Sequence, residues 1–179
     1  SISSEVNKNF IVLGKDDALV KIKVLSSLSC PHCAEFHMKI VPKIKEEYVE
    51  SGKVQLIFID FPLDLPAFNA SKLLHCSNPE KQMNLLDAIY KEQDIWTSGK
   101  NIDEININLK KIVKGLGISS SEFDECLIDE VISDKIINYR IESLKKYSIK
   151  GTPTIIINEK KLEGSVNFKN IKKKIEKLI

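Results

Sequence analysis

The chain has 179 residues, with 27 Lys and Arg against 25 Asp and Glu and a formal net charge of +2. This length predicts one compact domain with room for an insertion, and the interleaved charges predict no nucleic-acid partner. No apolar stretch reaches the roughly 20 residues that a membrane-spanning helix needs. The segment 1–9 is polar, so a secretory signal has either been removed or never existed.

The first third of the chain predicts two strands joined by a helix. Apolar residues alternate with lysines over residues 18–25, and residues 54–61 form a second run typical of a strand. Between them, residues 30–49 carry apolar side chains at helical spacing, and Pro42 is expected to kink that helix. Functional residues are expected where the first strand meets the helix.

Residues 66–147 show almost no strand signal and instead carry apolar residues at the spacing of several amphipathic helices. Glycines and an Asn-Pro pair mark the breaks between these helices. The layout predicts three parts within one compact unit. They are residues 1–62, a helical insertion at 63–147, and residues 148–179.

The final segment returns to strands. Residues 154–157 are β-branched throughout, residues 158–160 supply a turn, and residues 162–164 are expected to lead back antiparallel. A last helix is predicted over residues 168–178. The order of elements therefore predicts an α/β fold interrupted by a helical insertion.

Cys30, Pro31, His32 and Cys33 form a C-x-x-C motif at the first strand-to-helix junction. The helix dipole, exposed backbone N–H groups and the nearby imidazole all favour a Cys30 thiolate. Pro31 and His32 are expected to tune the redox potential, because stabilising the reduced form makes the disulfide a stronger oxidant. Cys33 is expected to be more buried and to act as the resolving thiol. An inert structural pair is the alternative.

A zinc site is a further alternative for these cysteines. Cys30 and Cys33 could recruit His37, but no second C-x-x-C or H-x-x-H motif completes a tetrahedral site. We therefore expect no metal. A non-catalytic module that holds a soft cation such as Cu(I) remains open as a function of a different class.

Gly151, Thr152 and Pro153 stand immediately before the β-branched strand. A proline at a strand entry lacks a donor and is often cis. A cis bond would leave the backbone of Thr152 free to pair with an extended substrate beside Cys30. An ordinary turn proline is the alternative.

Cys76 and Cys126 stand apart from the motif and from each other. If Cys30 pairs with Cys33, these two remain for each other, and we expect a structural disulfide within the insertion. Such a bond would imply an oxidising compartment. Free buried thiols are the alternative, and His75 is expected to be a surface residue beside Cys76.

These motifs together resemble the DsbA-like branch of the thioredoxin superfamily, bacterial periplasmic proteins that introduce disulfides into newly exported chains. The likeness covers nearly the whole chain, and its segments are C-P-H-C at 30–33, Asp60-Phe61-Pro62, the helical insertion with Cys76, Gly151-Thr152-Pro153-Thr154, Asn158 and Leu162-Glu163-Gly164. The resemblance implies a thioredoxin fold with an inserted α-helical domain. It also implies that Cys30 exchanges with substrate, that Cys33 resolves, and that Thr152 and cis-Pro153 line the substrate groove.

By the same resemblance, the function is that of a dithiol oxidase that donates the Cys30–Cys33 disulfide and needs no other cofactor. The implied partners are reduced exported proteins and a DsbB-type membrane quinone reductase that restores the disulfide, with the chain a periplasmic or exported monomer. Disulfide reductase or isomerase activity is the alternative. One departure concerns Val24, which stands where the superfamily usually carries a buried Asp or Glu that moves the proton of the resolving thiol. Water or His32 is expected to serve instead.

Overall fold

A five-stranded mixed sheet runs through the centre of the molecule. The computed structural model describes residues 10–179, and the polar segment 1–9, in which the sequence predicted no secretory signal, lies outside the described residues. The sheet order is β1-β3-β2-β4-β5, with β2 and β3 parallel and the other neighbours antiparallel. The strands are β1 (Ile11–Leu13), β2 (Val20–Ser26), β3 (Val54–Asp60), β4 (Thr154–Ile157) and β5 (Lys160–Lys161).

The predicted strand–helix–strand unit is the pair β2 and β3 with the helix α1, residues 31–49, between them. Side chains of a strand alternate between the two faces of the sheet. On one face Ile22, Val24 and Leu56 pack in a buried cluster with residues of α1. On the other face Leu25 and Ile57 lie in a separate cluster. The alternation over residues 18–25 therefore places Val20, Ile22 and Val24 in the core beside α1, with the lysines on the opposite face of the sheet.

Helix α1 runs continuously through Pro42. Its regular α-helical turns, Pro31–Glu35 and Val41–Ile44, alternate with wider π-helical turns at Phe36–Ile40 and Lys45–Val49. Proline has no N–H to donate to the preceding turn. The irregularity expected at Pro42 takes the form of wider turns, one of which ends at Ile40, two residues before it.

Six helices form the segment between β3 and β4. They are α2 (Leu65–Cys76), α3 (Pro79–Lys91), α4 (Gln93–Trp96), α5 (Ile102–Lys114), α6 (Ser120–Leu127) and α7 (Glu130–Tyr147). The apolar faces of the first five, α2 to α6, share one buried cluster with Leu28 and Cys33 from the sheet side of the molecule. The insertion therefore packs directly on the C-x-x-C segment. Within residues 10–179, no helix has the length and apolar character needed to cross a bilayer.

The C-terminal hairpin differs from the prediction in one respect. The return strand β5 begins at Lys160 instead of residue 162. Asn158 and Glu159 adopt φ values of 46° and 68°, and two such residues form the tight turn that matches the twist of a hairpin. The turn is thus shorter than predicted and β5 starts earlier. Helix α8 (Phe168–Glu176) closes the fold.

Strand β1 was not predicted. It has three residues, which is too few for a period of two to be recognised. It pairs with β3 at the edge of the sheet.

Candidate active site

Cys30 is the N-cap residue of helix α1. It has an extended backbone (φ −78°, ψ 121°) and lies immediately before Pro31, the first residue of the helix. Pro31 is well suited to that position, because the first turn of a helix needs no N–H donor from it. The Cys30 side chain is partly exposed, and its thiol donates to the backbone carbonyl of Thr152 at 3.7 Å.

The surroundings of Cys30 favour its thiolate. Burial by itself raises the pKa of this thiol, but hydrogen bonds from the Thr152 hydroxyl and from the N–H groups of Cys33 and His32 outweigh it, so the pKa lies below its ordinary value of 9.0. The Thr152 hydroxyl is buried and has no hydrogen-bond partner among residues 10–179 while Cys30 is a thiol. It is therefore free to donate to a Cys30 thiolate.

Cys33 lies one turn further along α1 and is completely buried. Burial raises the pKa of the Cys33 thiol to about 12, and a negative charge on Cys30 adds to the rise. The two sulfurs are thus opposite in character, since one is accessible and readily ionised and the other is inaccessible and holds its proton. In the disulfide form, a nucleophile can reach only the Cys30 sulfur, so Cys33 is the thiolate that leaves.

A groove opens beside the exposed side of the motif. It has a volume of about 440 Å³ and is lined by His32, Glu35, Phe36, Lys39, Ile40, Thr152, Pro153, Val166 and Asn167. The Thr152–Pro153 peptide bond is cis. The structure therefore brings together His32, Thr152 and Pro153, which are 120 residues apart in sequence, at one surface next to Cys30.

Gln93 is a site residue that the sequence did not point out. Its buried side-chain amide donates to the backbone carbonyls of Leu28 at 2.8 Å and Cys30 at 3.0 Å. Gln93 lies in α4, so the insertion holds the backbone of the loop that carries Cys30. A single glutamine at the start of a four-residue helix belongs to no sequence pattern that could have identified this contact.

Cys76 and Cys126 form a disulfide that joins α2 to α6, with the Cα atoms 6.1 Å apart. Cys76 is exposed and Cys126 is buried. This pair lies within the helical insertion, whereas Cys30 and Cys33 are free thiols. The structure therefore holds the chain with one dithiol and one disulfide.

His75 was predicted to lie on the surface, and that prediction was wrong. Its side chain is 11% exposed, and its Nε2 lies 2.6 Å from Oδ2 of Asp60. Asp60 also accepts a hydrogen bond from the Ser71 hydroxyl at 3.0 Å. Ser71 and His75 are four residues apart on α2 and therefore share the face that packs on the end of β3.

His37 takes no part in a metal site with the cysteines. His37 lies one helical turn after Cys33, and its buried ring lies 2.6 Å from Asp87. Among the described residues, no three His, Cys, Asp or Glu side chains gather as metal ligands would. The thiols of Cys30 and Cys33 thus have no third ligand beside them in residues 10–179.

Residues 6–177 match the model of a protein family described as Thioredoxin. The chain is 31% identical over 170 residues to a probable disulfide bond formation protein D of Bacillus anthracis, covering 92% of this chain and 76% of that protein. It is 27% identical over 168 residues to a putative protein-disulfide oxidoreductase of Rickettsia bellii. That match covers 93% of this chain and 64% of the rickettsial protein, so the chain spans less than two thirds of this relative's length.

Solved structures agree with these matches. The crystal structure of alpha-DsbA1 from Wolbachia pipientis superposes with a TM-score of 0.85 and 31% sequence identity, covering 95% of this chain and 90% of that one. Oxidised BdbD from Bacillus subtilis superposes with a TM-score of 0.82 over 95% of this chain and 92% of that one, and its 24% identity shows the shared fold. The predicted thioredoxin fold with an inserted helical segment is confirmed. The chain belongs to the thioredoxin family, in its branch of DsbA-like protein-disulfide oxidoreductases.

Proposed function

We propose that the protein is a dithiol oxidase that donates a Cys30–Cys33 disulfide to reduced protein substrates. The single observation that supports this best is the contrast between the two sulfurs. Cys30 is partly exposed with a lowered pKa, and Cys33 is buried with a pKa of about 12. Stabilising the Cys30 thiolate favours the reduced form of the pair, which makes the disulfide an oxidant.

The reaction proceeds in two exchanges. A substrate thiolate attacks the Cys30 sulfur of the disulfide, the Cys30–Cys33 bond breaks, and Cys33 leaves with the electron pair and takes up a proton. A second substrate thiolate then attacks the substrate sulfur of the mixed disulfide and expels Cys30 as a thiolate. The substrate gains one disulfide, the enzyme becomes the dithiol, and two electrons have passed from substrate to enzyme.

The groove beside the motif gives the remaining site residues their proposed roles. Thr152 and Pro153 line the groove and receive an extended substrate segment, since the Thr152 carbonyl already lies within 3.7 Å of the Cys30 sulfur. Pro31 and His32 set the redox potential through the first turn of α1. Cys76 and Cys126 have a structural role in the insertion.

The partners follow from relatives that are named disulfide bond formation proteins. We propose that the substrates are exported proteins with reduced cysteines, that the protein works outside the cytoplasm as a monomer, and that a DsbB-type membrane quinone reductase restores the disulfide. The Cys30–Cys33 pair itself carries the electrons, so the exchange requires no further redox group on this chain.

Two measurements test the proposal. The equilibrium constant with glutathione should identify a potential on the oxidising side, and denaturant unfolding should show the reduced protein to be more stable than the oxidised one. The oxidised protein should also convert a peptide with two cysteines to its disulfide, in a reaction that depends on Cys30. If the oxidised form unfolds at the higher denaturant concentration, the oxidase assignment is wrong and a reductase is the better account.

A further inference from the structure

The proposed exchange requires a proton at a sulfur that solvent does not reach. Cys33 is completely buried, and burial raises its pKa to about 12, so the thiolate that leaves this position must be protonated from inside the protein. His32 is exposed and lines the substrate groove. Its imidazole therefore lies on the substrate side of the motif.

A small cavity lies between the sheet and helices α2 and α3. Its volume is about 20 Å³, and its lining is mostly apolar with four polar residues, Ser26, Asp60, His75 and Tyr90. A cavity of this size, with several polar groups around it, can hold one water molecule. Val24 and Phe58 contribute apolar side chains to the same wall.

Tyr90 lines this cavity and belongs to the same buried cluster as Cys33. Burial raises the pKa of Tyr90 well above its ordinary value, a negative charge on Cys33 raises it further, and a hydrogen bond with Ser26 acts in the opposite direction. The Tyr90 hydroxyl therefore keeps its proton and can donate a hydrogen bond to a neighbouring anion.

Asp60 and His75 connect the cavity with the exterior. Ser26 and Asp60 are cross-strand partners at the ends of β2 and β3, so their side chains share one face of the sheet. Asp60 is held by the Ser71 hydroxyl and by His75 Nε2 at 2.6 Å. The side chains of His75 and Asp60 are 11% and 17% exposed, which gives this pair an outlet to solvent.

We propose that Tyr90 and the Asp60–His75 pair form a proton relay that protonates and deprotonates the Cys33 sulfur. The relay rests on the proposed thiol–disulfide exchange and supplies its missing proton route. Its strand residue, Asp60 on β3, lies on the same face of the sheet as Val24 on the neighbouring strand β2. Asp60, His75 and Tyr90 act on the substrate only through Cys33. They are therefore relay residues and make no contact with the reacting cysteine of the substrate.

The proton balance is complete. When the Cys30–Cys33 bond breaks, its electron pair remains on the Cys33 sulfur, which takes up the Tyr90 proton directly or through one water molecule. Tyr90 takes up a proton from the Asp60–His75 pair in the same event, so no tyrosinate is formed, and His75 recovers a proton from solvent. One proton enters for each disulfide consumed, and no electron passes through the relay.

A second histidine–carboxylate pair faces Tyr90 and provides a matched comparison. The ring of His37, on α1, lies 4.7 Å from the ring of Tyr90 and 5.6 Å from that of Phe58. His37 Nε2 lies 2.6 Å from Asp87, whose side chain is 56% exposed. Neither His37 nor Asp87 lines the cavity that Tyr90 and Asp60 share. The cavity therefore distinguishes the Asp60–His75 pair from this one.

The experiment follows the relay in the reverse direction. Glutathione is first attached to Cys30 as a mixed disulfide, and its release by Cys33 is measured by acid quenching and mass spectrometry across a range of pH. Release requires the Cys33 thiol to lose its proton before the thiolate attacks Cys30. In Asp60→Asn, we expect release near neutral pH to be slower by about 10²-fold, the usual size of a general acid–base contribution. At strongly alkaline pH, hydroxide deprotonates Cys33 and the two rates should converge.

Three further variants make the result specific. Asp87→Asn alters the neighbouring pair and should leave the pH profile unchanged. Tyr90→Phe removes a single oxygen and should slow neutral release as Asp60→Asn does, which keeps the test available if Asp60→Asn fails to fold. Val24→Asp places a carboxylate on the wall of the same cavity and should restore the neutral rate of the Asp60→Asn protein.

The outcomes separate the relay from the proposed function. If wild-type protein releases glutathione and both Asp60→Asn and Tyr90→Phe follow the wild-type pH profile, the relay is wrong while the exchange function stands. If Asp87→Asn slows release as much as Asp60→Asn, the proton route is not specific to the cavity and the relay is again wrong. If wild-type protein shows no release that depends on Cys33, the failure belongs to the proposed function.

Discussion

The two cysteine pairs of this protein differ in almost every physical respect. Cys30 and Cys33 are three residues apart at the beginning of one helix, and one of them is accessible. Cys76 and Cys126 are 50 residues apart, join two helices, and form a disulfide. The first pair has hydrogen bonds that stabilise a thiolate, whereas the second closes a long loop.

The comparison shows how position determines the role of a sulfur. A cysteine at a helix N-terminus receives N–H groups and the positive end of the helix dipole, so its thiolate is stabilised and its disulfide is easily reduced. A disulfide between two distant helices acts mainly on the unfolded chain, whose conformational freedom it restricts. Mutation of the reactive pair, Cys30 and Cys33, should therefore change activity most, whereas mutation of the restraining pair, Cys76 and Cys126, should change stability.

Replacement of the accessible cysteine should abolish activity. Cys30→Ser is expected to lower the rate of peptide oxidation by more than about 10³-fold, because the only reactive sulfur of the proposed exchange is lost. Cys33→Ser has no disulfide to donate, but its Cys30 thiolate should attack oxidised glutathione, release one glutathione thiolate and keep the other as a stable mixed disulfide that mass spectrometry detects. Equal turnover in Cys30→Ser and wild-type protein would contradict the proposed roles.

Removal of the second pair should act on stability. A double Cys76→Ala and Cys126→Ala protein is expected to lose about 4 kcal/mol of unfolding free energy in the chain-entropy model for a loop of this length. Denaturant unfolding measures the loss.

Peptide oxidation by the same double variant is the control, and it should retain dependence on Cys30. If the double variant is as stable as the wild type but cannot oxidise the peptide, the contrast drawn between the two pairs is wrong.

The stability of the reduced protein relative to the oxidised one should have a maximum near pH 9. The pKa of Cys30 is lowered from 9.0, so its contribution grows as the pH rises through the folded value towards 9.0, where the unfolded chain still binds the proton. The pKa of Cys33 is raised to about 12, so above 9.0 the unfolded chain releases a proton that the folded protein retains, and the contribution reverses.

Unfolding of both redox forms at a series of pH values measures this difference, and thiolate absorbance titrates Cys30 directly. The oxidised form is the control, since its disulfide sulfurs do not titrate. A difference that is flat between neutral pH and pH 9.0 would show that Cys30 has an ordinary pKa.

The smallest expected effect lies away from both pairs. Burial alone would raise the pKa of Glu159, but hydrogen bonds from Lys23, Lys146 and Tyr147 outweigh it and lower the pKa to about 2. Because Glu159 is half exposed, Glu159→Gln should cost less than about 1 kcal/mol at neutral pH. The folded pKa is the lower one, so this contribution is present above the ordinary value of 4.5 and is lost as the pH falls towards about 2.

Unfolding of the variant below pH 4.5 should therefore approach that of the wild type, in a pH range far from the cysteine titrations. A Glu159→Gln protein whose reduced form alone is destabilised would link this surface cluster to the active site, contrary to expectation.

Local patterns were sufficient to predict much of the fold and of the reactive pair. The alternation over residues 18–25 identified β2, the helical spacing after Cys30 identified α1, and the C-x-x-C spacing identified a helix N-terminus with one sulfur turned inward. These predictions rest on interactions between residues close in sequence. The three-residue strand β1 and the two-residue turn at Asn158 and Glu159 were missed or misplaced, because their conformations depend on the strands with which they pair.

The amino-acid sequence by itself determined which sulfur lies at the head of a helix, since the order of strand, cysteine and helix requires no distant partner. Elimination among four cysteines predicted the pairing of Cys76 with Cys126. Only the tertiary structure decided that this disulfide joins α2 to α6, and that Asp60, His75 and Tyr90 line one cavity. The physical reason is that burial and contacts between distant segments arise from packing of the insertion against the sheet, and no local spacing encodes them.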